Sequence, residues 1–470
     1  VTANQMAHLS DPEGTRSTAQ TEPLTSYTVG RIQKGYNAGN TVIGGMFTST
    51  NRVIDDPSLE FLARNAYTGG LDLLTHWKDK EFFLDAKLTG SYINGSAQSL
   101  RRLQESPAHY FQRPGIRYID YDTTRKDMAG SGGRVQVGKG SKGFWRYSAG
   151  VDWASPGLEL NDLGYMREAD YIRETNEVSY LINKPVSVFN FYTVSLEQFN
   201  EWNFGGKYLG SGGHLNFHSQ FKNNWSFGGN LIYHSRRTDM RILRGGPDML
   251  LPHSFTTFGN ITTDVSKKIT GQLNWEAESR GSNSGFTWML QPGITVRPLS
   301  ALKLGVTADY SANTDRLQYV TAKKFQSDQK YILGTIDQKT FGLTFRADLI
   351  LSPEFSIQYY GSPFISKGTY SEFKHITDAE AGKLNDRYSH YMNTVWDNNL
   401  VYLDQNNDFS PDIIIANPDF DFYQFRSNLV AKWEYRLGSY LYLVWSRDKT
   451  GRDGFPENIF LVKLNYWFSL

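Results

Sequence analysis

Apolar and polar side chains alternate along most of this chain, in runs of about ten residues that each read as one membrane-spanning strand. Phe82, Leu84, Ala86, Leu88 and Tyr92 alternate with Asp85, Lys87, Thr89 and Ser91. Trp145, Tyr147, Ala149, Val151 and Trp153 alternate with Arg146, Ser148 and Asp152. The pattern returns at Trp225, Phe227, Leu231 and Tyr233, at Ile269, Leu273, Trp275 and Ala277, and at Leu302, Leu304, Val306, Ala308 and Tyr310. It returns again at Phe425, Leu429, Ala431, Trp433, Tyr435 and Leu437. The chain ends on it, with Phe460, Val462, Leu464, Tyr466, Phe468 and Leu470 on one face and Leu461, Lys463, Asn465, Trp467 and Ser469 on the other. A period of two is the signature of a strand. A uniformly apolar face in strand after strand requires lipid on one side and a polar interior on the other.

The connections carry a second pattern. Lys78–Lys80, Lys222–Asn224, Ser266–Lys267, Arg297–Ser300, Ser352–Glu354 and Gly438–Ser439 are very short. Those between them are longer, notably Asn94 to Met128 and Ser371 to Tyr423. Short turns on one rim and long loops on the other are the habit of outer-membrane barrels, and tracing the pattern gives about twenty strands, the first near Val1 to His8. The expected fold is therefore all-β: a large antiparallel transmembrane outer-membrane β-barrel of about 20 or more strands, with short periplasmic turns and long extracellular loops. Residues 1–470 are expected to form this single domain. Thr314 to Gln329 and the interior of 371–423 fit the alternation least.

Composition narrows the alternatives. Mean hydropathy is −0.49, and no apolar run approaches the ~18 residues of a membrane helix. Barrels escape that test, because lumen-facing residues dilute the lipid-facing ones. The 28 Tyr, 29 Phe, 11 Trp and 43 Gly suit aromatic girdles and tight strand packing. A net charge of +1 gives no argument for nucleic acid. The chain has no cysteine, which removes disulfides, thiolate chemistry and Cys–zinc sites. It starts at Val1 in what reads as the middle of a strand, so further sequence is expected upstream. A barrel above twenty strands has a bore wider than a porin's and is expected to hold a plug.

Several segments resemble one family in detail. They are Arg31–Lys34 with Gly44–Arg52, Tyr67–Leu71, Tyr110–Pro114, Ser155–Gly164, Gln220–Gly228, Leu243–Pro247, Tyr331–Gln338, Ser356–Gly361, Asn417–Phe420, Phe425–Val430 and Lys463–Phe468. Together they resemble the barrel region of a Bacteroidota-type outer-membrane family, in which a domain like carbohydrate-binding module family 9 precedes the barrel. The resemblance spans essentially the whole chain. It implies the fold and an outer-membrane location, and it places glycan binding on no residue of this sequence.

Candidate chemistry is sparse. Asp404, Asn406, Asp408 and Asp412 stand at positions 1, 3, 5 and 9 of an acidic loop, the oxygen spacing calcium prefers. Phe409 stands where the turn glycine belongs and Ile415 where the closing Glu belongs; the alternative is a solvated, turn-rich outer loop. Gly138–Gly143 has the dinucleotide-loop spacing, yet a strand follows it; phosphate binding there needs a helix N-terminus, so a short turn is expected. His214 and His218 would share a metal on a helix, but on a strand they stand roughly 13 Å apart. Arg236, Arg237, Arg241 and Arg244 offer charge for an acidic glycan or lipopolysaccharide phosphate, or form an ordinary charged rim. Arg426, Lys432, Glu434, Arg436, Glu276 and Glu278 either tune a pore or form cross-strand charge ladders. No hydrolase elbow, zinc-protease or Walker motif occurs, so no enzyme is indicated.

The expected role is a barrel that binds or passes a solute such as glycan, plugged or gated by a partner. The alternative is a non-conducting structural subunit of a larger outer-membrane complex. Expected partners are outer-membrane lipid and lipopolysaccharide, other outer-membrane proteins or lipoproteins, and glycan.

Overall fold

The computed structural model describes residues 1–10, 14–397 and 399–468; Ser469 and Leu470, the last residues of the two alternating faces, lie outside the described residues. Among the described residues, twenty strands hydrogen-bond in an order that returns to its start, a closed barrel. The reason is backbone chemistry. An unpaired amide in hydrocarbon costs several kcal/mol, so a spanning sheet keeps no free edge.

The short turns fall where the alternation breaks. Trp77 pairs with Phe82 across the turn that begins at Lys78, and Lys78, Asp79 and Lys80 all take positive φ there. Leu299 pairs with Leu302, Ser352 with Phe355 and Arg436 with Ser439. Gly138 belongs to the strand Asp127–Lys139, and the next strand, Trp145–Ala154, follows after five residues. The glycine motif is thus a strand end and a turn, with no helix beside it.

One expectation is corrected. The wall begins at the strand Leu24–Tyr36, and Gln5–Ser10 pairs instead with Arg16–Glu22 in a separate two-stranded sheet. A short alternating run defines a strand but not its partner, and a local hairpin closes at lower entropic cost than a wall position.

By contact density the chain forms two compact units. The first comprises residues 1–181, 195–213 and 234–251; the second comprises 182–194, 214–233 and 252–470. In the first unit, strands Ala63–Trp77, Phe82–Gly95, Asp127–Lys139 and Trp145–Ala154 pair in succession. Their long connection, residues 96–126, opens with a helix, Ala97–Gln104. Ser96 caps it by accepting the Ser99 N–H at 3.1 Å, a typical N-cap contact. Leu100 seals the helix onto Ile93, Phe111 and Met128.

In the second unit, the strands Leu302–Phe325, Asp328–Ser352 and Phe355–Ile376 hold 24, 25 and 22 residues. A tilted span uses ~9–11, so these hairpins extend well past the membrane. Thr314 to Phe325 therefore continues as strand while losing the two-faced pattern, since no lipid faces it. Residues 371–423 are structured too: Thr394–Asp397, Leu400–Leu403 and Ile413–Ala416 form a three-stranded sheet. Val401, Leu403, Ile413 and Ile415 pack it against Ile332, Phe373 and Tyr391.

The apolar face of the wall is exposed on the chain itself. Leu429 is 36% exposed, Trp433 49% and Leu464 67%. Monomeric soluble proteins do not present such a surface over strand after strand. A lipid-facing belt does.

Candidate functional site

The functional candidate lies in the first unit, where the long loops meet the polar face of the wall. On that face the register aligns Arg31 with Met46, Met46 with Gly70, and Gly70 with Thr89. Asp72 pairs with Lys87, which pairs with Arg134.

The loop joining Trp145–Ala154 to Tyr171–Ile182 folds back onto this polar face. Its backbone at Gly157 and Leu158 lies directly on Gly130: a Cβ at residue 130 would stand 2.0 Å from the Leu158 nitrogen and 2.2 Å from the Gly157 carbonyl carbon. Leu158 is buried. The close approach requires glycine at 130.

Beyond that contact the loop roofs a cavity of about 310 Å³. Its floor carries Arg31, Asp72, Lys87, Thr48, Thr68 and Thr89, and its roof is Leu160, Leu163 and Gly164. Arg31 and Asp72 form an ion pair at 3.3 Å. The volume is that of a small-ligand site, and its lining offers a carboxylate, two cations and three hydroxyls under a leucine lid.

Buried charges hold the loop in place. His109 Nε2 lies 3.0 Å from Glu159 Oε2, and Nδ1 lies 2.9 Å from the Pro156 carbonyl. Both ring nitrogens thus face oxygen atoms of the loop. The Glu159 N–H donates to Ser91 Oγ at 2.9 Å, and Glu159 Oε1 accepts the Asn161 N–H at 2.6 Å. Burial pushes the Glu159 carboxyl up, but the His109 and Asn161 hydrogen bonds outweigh it and hold the group below its ordinary 4.5. A carboxylate depressed by folding contributes stability above its unfolded pKa, and that stability is lost as pH falls through the folded value. Amide protection in residues 155–170, taken relative to the intrinsic exchange rate at each pH, is therefore expected to hold from pH 7 to 5 and to fall below about pH 4.5. Glu159→Gln should remove that pH dependence, and an unchanged profile in the variant would contradict the assignment.

A second knot ties four loops together. The Arg113 side chain is almost wholly buried. It donates from Nη2 to Asp170 Oδ2 and from Nη1 to Asp248 Oδ1, both at 2.9 Å, and from Nε to the Tyr110 carbonyl at 3.0 Å. Asp170 also accepts the Tyr118 hydroxyl at 2.6 Å and the Phe204 N–H at 3.0 Å. Burial pushes the Asp170 carboxyl up, against the pull of these donors and of Arg113. The Tyr118 phenol is pushed up too, by burial and by Asp170. Lys207 reaches Asp248 at 3.1 Å, and Arg52 reaches Asp162 at 2.7 Å.

The residues singled out from sequence fall as follows. Arg241 pairs with Glu168, so its charge is met within the loops. Arg237 lies in a short strand paired with Met249–Leu251. His214 and His218 share one strand, and the His218 ring packs beside Phe191. Arg426 and Asp448 are direct cross-strand partners, bonded at 2.8 Å. Arg280 pairs with Glu278 at 2.9 Å, Lys432 lies over the Tyr440 ring, Arg436 over the Tyr466 ring, and Glu434 accepts the Gly438 N–H.

In the acidic loop, Asp404 accepts the N–H groups of Asn407 and Phe409 and the Asn393 amide, at 2.7 to 2.9 Å. Asp412 accepts the Gln405 and Asn406 N–H groups. Asn406 and Asp408 bond each other at 3.0 Å. These oxygens organise the loop's own backbone. Among the described residues, no group of three or more His, Cys, Asp or Glu converges as a metal site.

Sequence reading missed His109, Arg113, Glu159, Asp170 and Asp248. A pointer was available, since Arg113 lies in the Tyr110–Pro114 segment and Glu159 in the Ser155–Gly164 segment that carry the family resemblance.

No curated protein matches the chain. Among solved structures it is similar to a mutant ferric enterobactin receptor from Pseudomonas aeruginosa, solved with enterobactin (9% identity, TM-score 0.38, covering 94% of this chain and 74% of that one). It is also similar to the siderophore receptor PirA from Acinetobacter baumannii (8% identity, TM-score 0.40, 90% and 73%). A third is FpvAI in complex with pyocin S2 (10% identity, TM-score 0.39, 92% and 70%). The family model described as "Domain of unknown function (DUF5916)" matches residues 1–469, and the chain belongs to that family.

Proposed function

We propose that the chain is the barrel of a bacterial outer-membrane protein that binds a polar, polyhydroxylated solute beneath the 155–170 loop and passes it when that loop withdraws. The cavity under Leu160, Leu163 and Gly164 carries this reading. Its threonines and charged groups suit the hydroxyls of a sugar, and its leucines suit the apolar face of a ring. The resemblance to a Bacteroidota-type family with a glycan-binding-like domain supports a glycan as the solute class. The exposed apolar belt supports an outer-membrane site, with lipid and lipopolysaccharide as its surroundings.

The test is planar-bilayer conductance. The wild-type chain is expected to be closed, and a variant whose loop is displaced from Gly130 is expected to conduct steadily. Silence in both would favour a structural subunit of a larger outer-membrane assembly, with its interlocked loops as a docking surface for other outer-membrane proteins or lipoproteins.

A further inference from the structure

Four polar side chains break the apolar belt in the first unit. The strand Tyr171–Ile182 carries Glu174 and Asn176, and its neighbour Phe189–Trp202 carries Gln198 and Asn200. Their face is fixed by register. Glu174 pairs with Val151 and Asn176 with Ala149, on the face that also holds Trp145 and Tyr147. Those residues are exposed, as are Val178 and Leu196. The opposite face of the same strands carries the Arg173–Glu201 pair and Ser179 bonded to Ser195.

Their height is fixed as well. Along this face, Trp145 and Tyr180 form the lowest row, followed by Tyr147 with Val178, Ala149 with Asn176, Val151 with Glu174, and Trp153 with Ile172. The Trp202 and Tyr208 rings lie tilted against each other, centroids 5.7 Å apart, beside the quartet. The polar pairs thus occupy the third and fourth of five rows, between the Tyr147–Val178 row and the Trp153–Ile172 row, within the lipid-facing belt. A polar group there without a partner is strongly disfavoured.

Internal bonds leave a remainder. Glu174 accepts the Asn176 amide and, at 2.8 Å, the Asn200 amide. Asn176 also donates to Gln198 Oε1 at 3.1 Å, and Tyr208 donates to Asn200 Oδ1 at 3.2 Å. Among the described residues, no hydrogen bond uses Gln198 Nε2 or Asn176 Oδ1, although both side chains are exposed. One is a donor and the other an acceptor. They stand at the same height on adjacent strands.

We infer that this quartet is the seam of a homodimer within the membrane. A two-fold axis along the membrane normal, passing between the two strands, keeps height and exchanges left for right. It sets the Gln198 donor of one copy against the Asn176 acceptor of the other, and the Glu174 carboxylate against the Asn200 amide. Each copy's unmet donor and acceptor is thereby satisfied once, in two symmetric hydrogen bonds, and an isologous contact closes at two copies. Polar side chains holding spanning elements together are an established use of such groups. The inference rests on the membrane reading of the apolar belt.

The chain has no cysteine, so introduced thiols are unique. A tagged Asn176→Cys chain and an untagged Gln198→Cys chain, co-expressed in a bacterial outer membrane and oxidised, are expected to give a covalent tagged–untagged pair. Wild-type chain in lipid nanodiscs is expected to show the mass of two copies. The Asn176→Leu/Gln198→Leu double variant should lower the dimer fraction at least tenfold. Leucine suits a lipid face, and the heat-dependent gel shift of folded barrels checks that this variant still folds. A wild-type chain that inserts but stays monomeric overturns the dimer alone. So does crosslinking only to some other protein, or a double variant that dimerises like wild type. A chain that never inserts overturns the dimer together with the membrane reading.

Discussion

Arg113→Ala will release the outer loops of the first unit from one another. The side chain is almost wholly buried and its fork holds Asp170 and Asp248, which belong to two other loops. Truncation leaves both carboxylates without their shared cation, the Asp170 carboxylate in a buried site and that of Asp248 in a largely buried one. Breaking a buried pair in this way costs about 3–5 kcal/mol, because the orphaned charge stays buried. Two carboxylates are orphaned here, although Lys207 still reaches Asp248 and Tyr118 still donates to Asp170. The barrel wall does not depend on this knot, so the loss is local. Amide exchange and limited proteolysis should show residues 96–126 and 155–170 opening at least a hundredfold more often, while the wall strands keep their protection. Arg113→Lys is expected to recover only part of the effect, since an ammonium cannot hold both carboxylates in a planar fork. Loops as well protected in Arg113→Ala as in wild type would contradict the knot.

Gly130→Val should have the second large effect, and it acts through shape alone. The nearest atoms to a new Cβ are the backbone of Gly157 and Leu158 at 2.0 to 2.4 Å. Backbone on both sides cannot rotate away as a side chain could, and overpacking of this kind typically costs about 1–3 kcal/mol. The strand Asp127–Lys139 is held on both sides by wall partners. The loop is the part that moves. In planar bilayers, Gly130→Val is expected to give steady channels under conditions where wild type is closed. Protease nicking between residues 155 and 165 should rise at least tenfold. The His109–Glu159 contact would lengthen with it, so the acid-sensitive exchange described for Glu159 should fade in the same variant. A channel as closed as wild type, with the loop displaced, would favour the structural-subunit reading.

The wall was legible in the sequence because two chemical demands write it plainly. Lipid selects Leu429, Trp433 and Leu464 at period two, and tight turns select Lys78–Lys80 and Gly438. What lies beyond the membrane obeys neither demand. The strand continuing through Thr314 to Phe325 shows no lipid-type pattern, because no hydrocarbon faces it; Val320 and Phe325 pack instead on the core of the three-stranded loop sheet. The sheet Thr394–Asp397, Leu400–Leu403, Ile413–Ala416 buries only a few side chains and hides inside what reads as a long loop. Gln5–Ser10 alternates well enough to be a strand, yet its partner is chosen by chain proximity.

The site was less legible still. Arg113 and Asp248 are 135 residues apart, and Arg113 and Asp170 are 57 apart. No local spacing rule connects them. His109 and Glu159, 50 apart, are equally invisible as a pair. The acidic loop at 404–412 was conspicuous for the opposite reason: its residues are close in sequence. Their oxygens bond the loop's own N–H groups, and that local use needs the same Asp and Asn spacing a calcium loop shows.

The central claim is that hydrocarbon wets the apolar face of the wall while its polar face stays aqueous or protein-filled. Single cysteines along Phe420–Arg436 test it directly in this cysteine-free chain. In lipid vesicles, thiols at Leu429 and Trp433 are expected to resist a membrane-impermeant maleimide, and spin labels there should be relaxed by oxygen dissolved in the bilayer. Thiols at Asn428 and Lys432 are expected to show no such oxygen effect. Rapid aqueous labelling at Leu429 and Trp433, or a folded chain that stays monodisperse without detergent, would contradict the account.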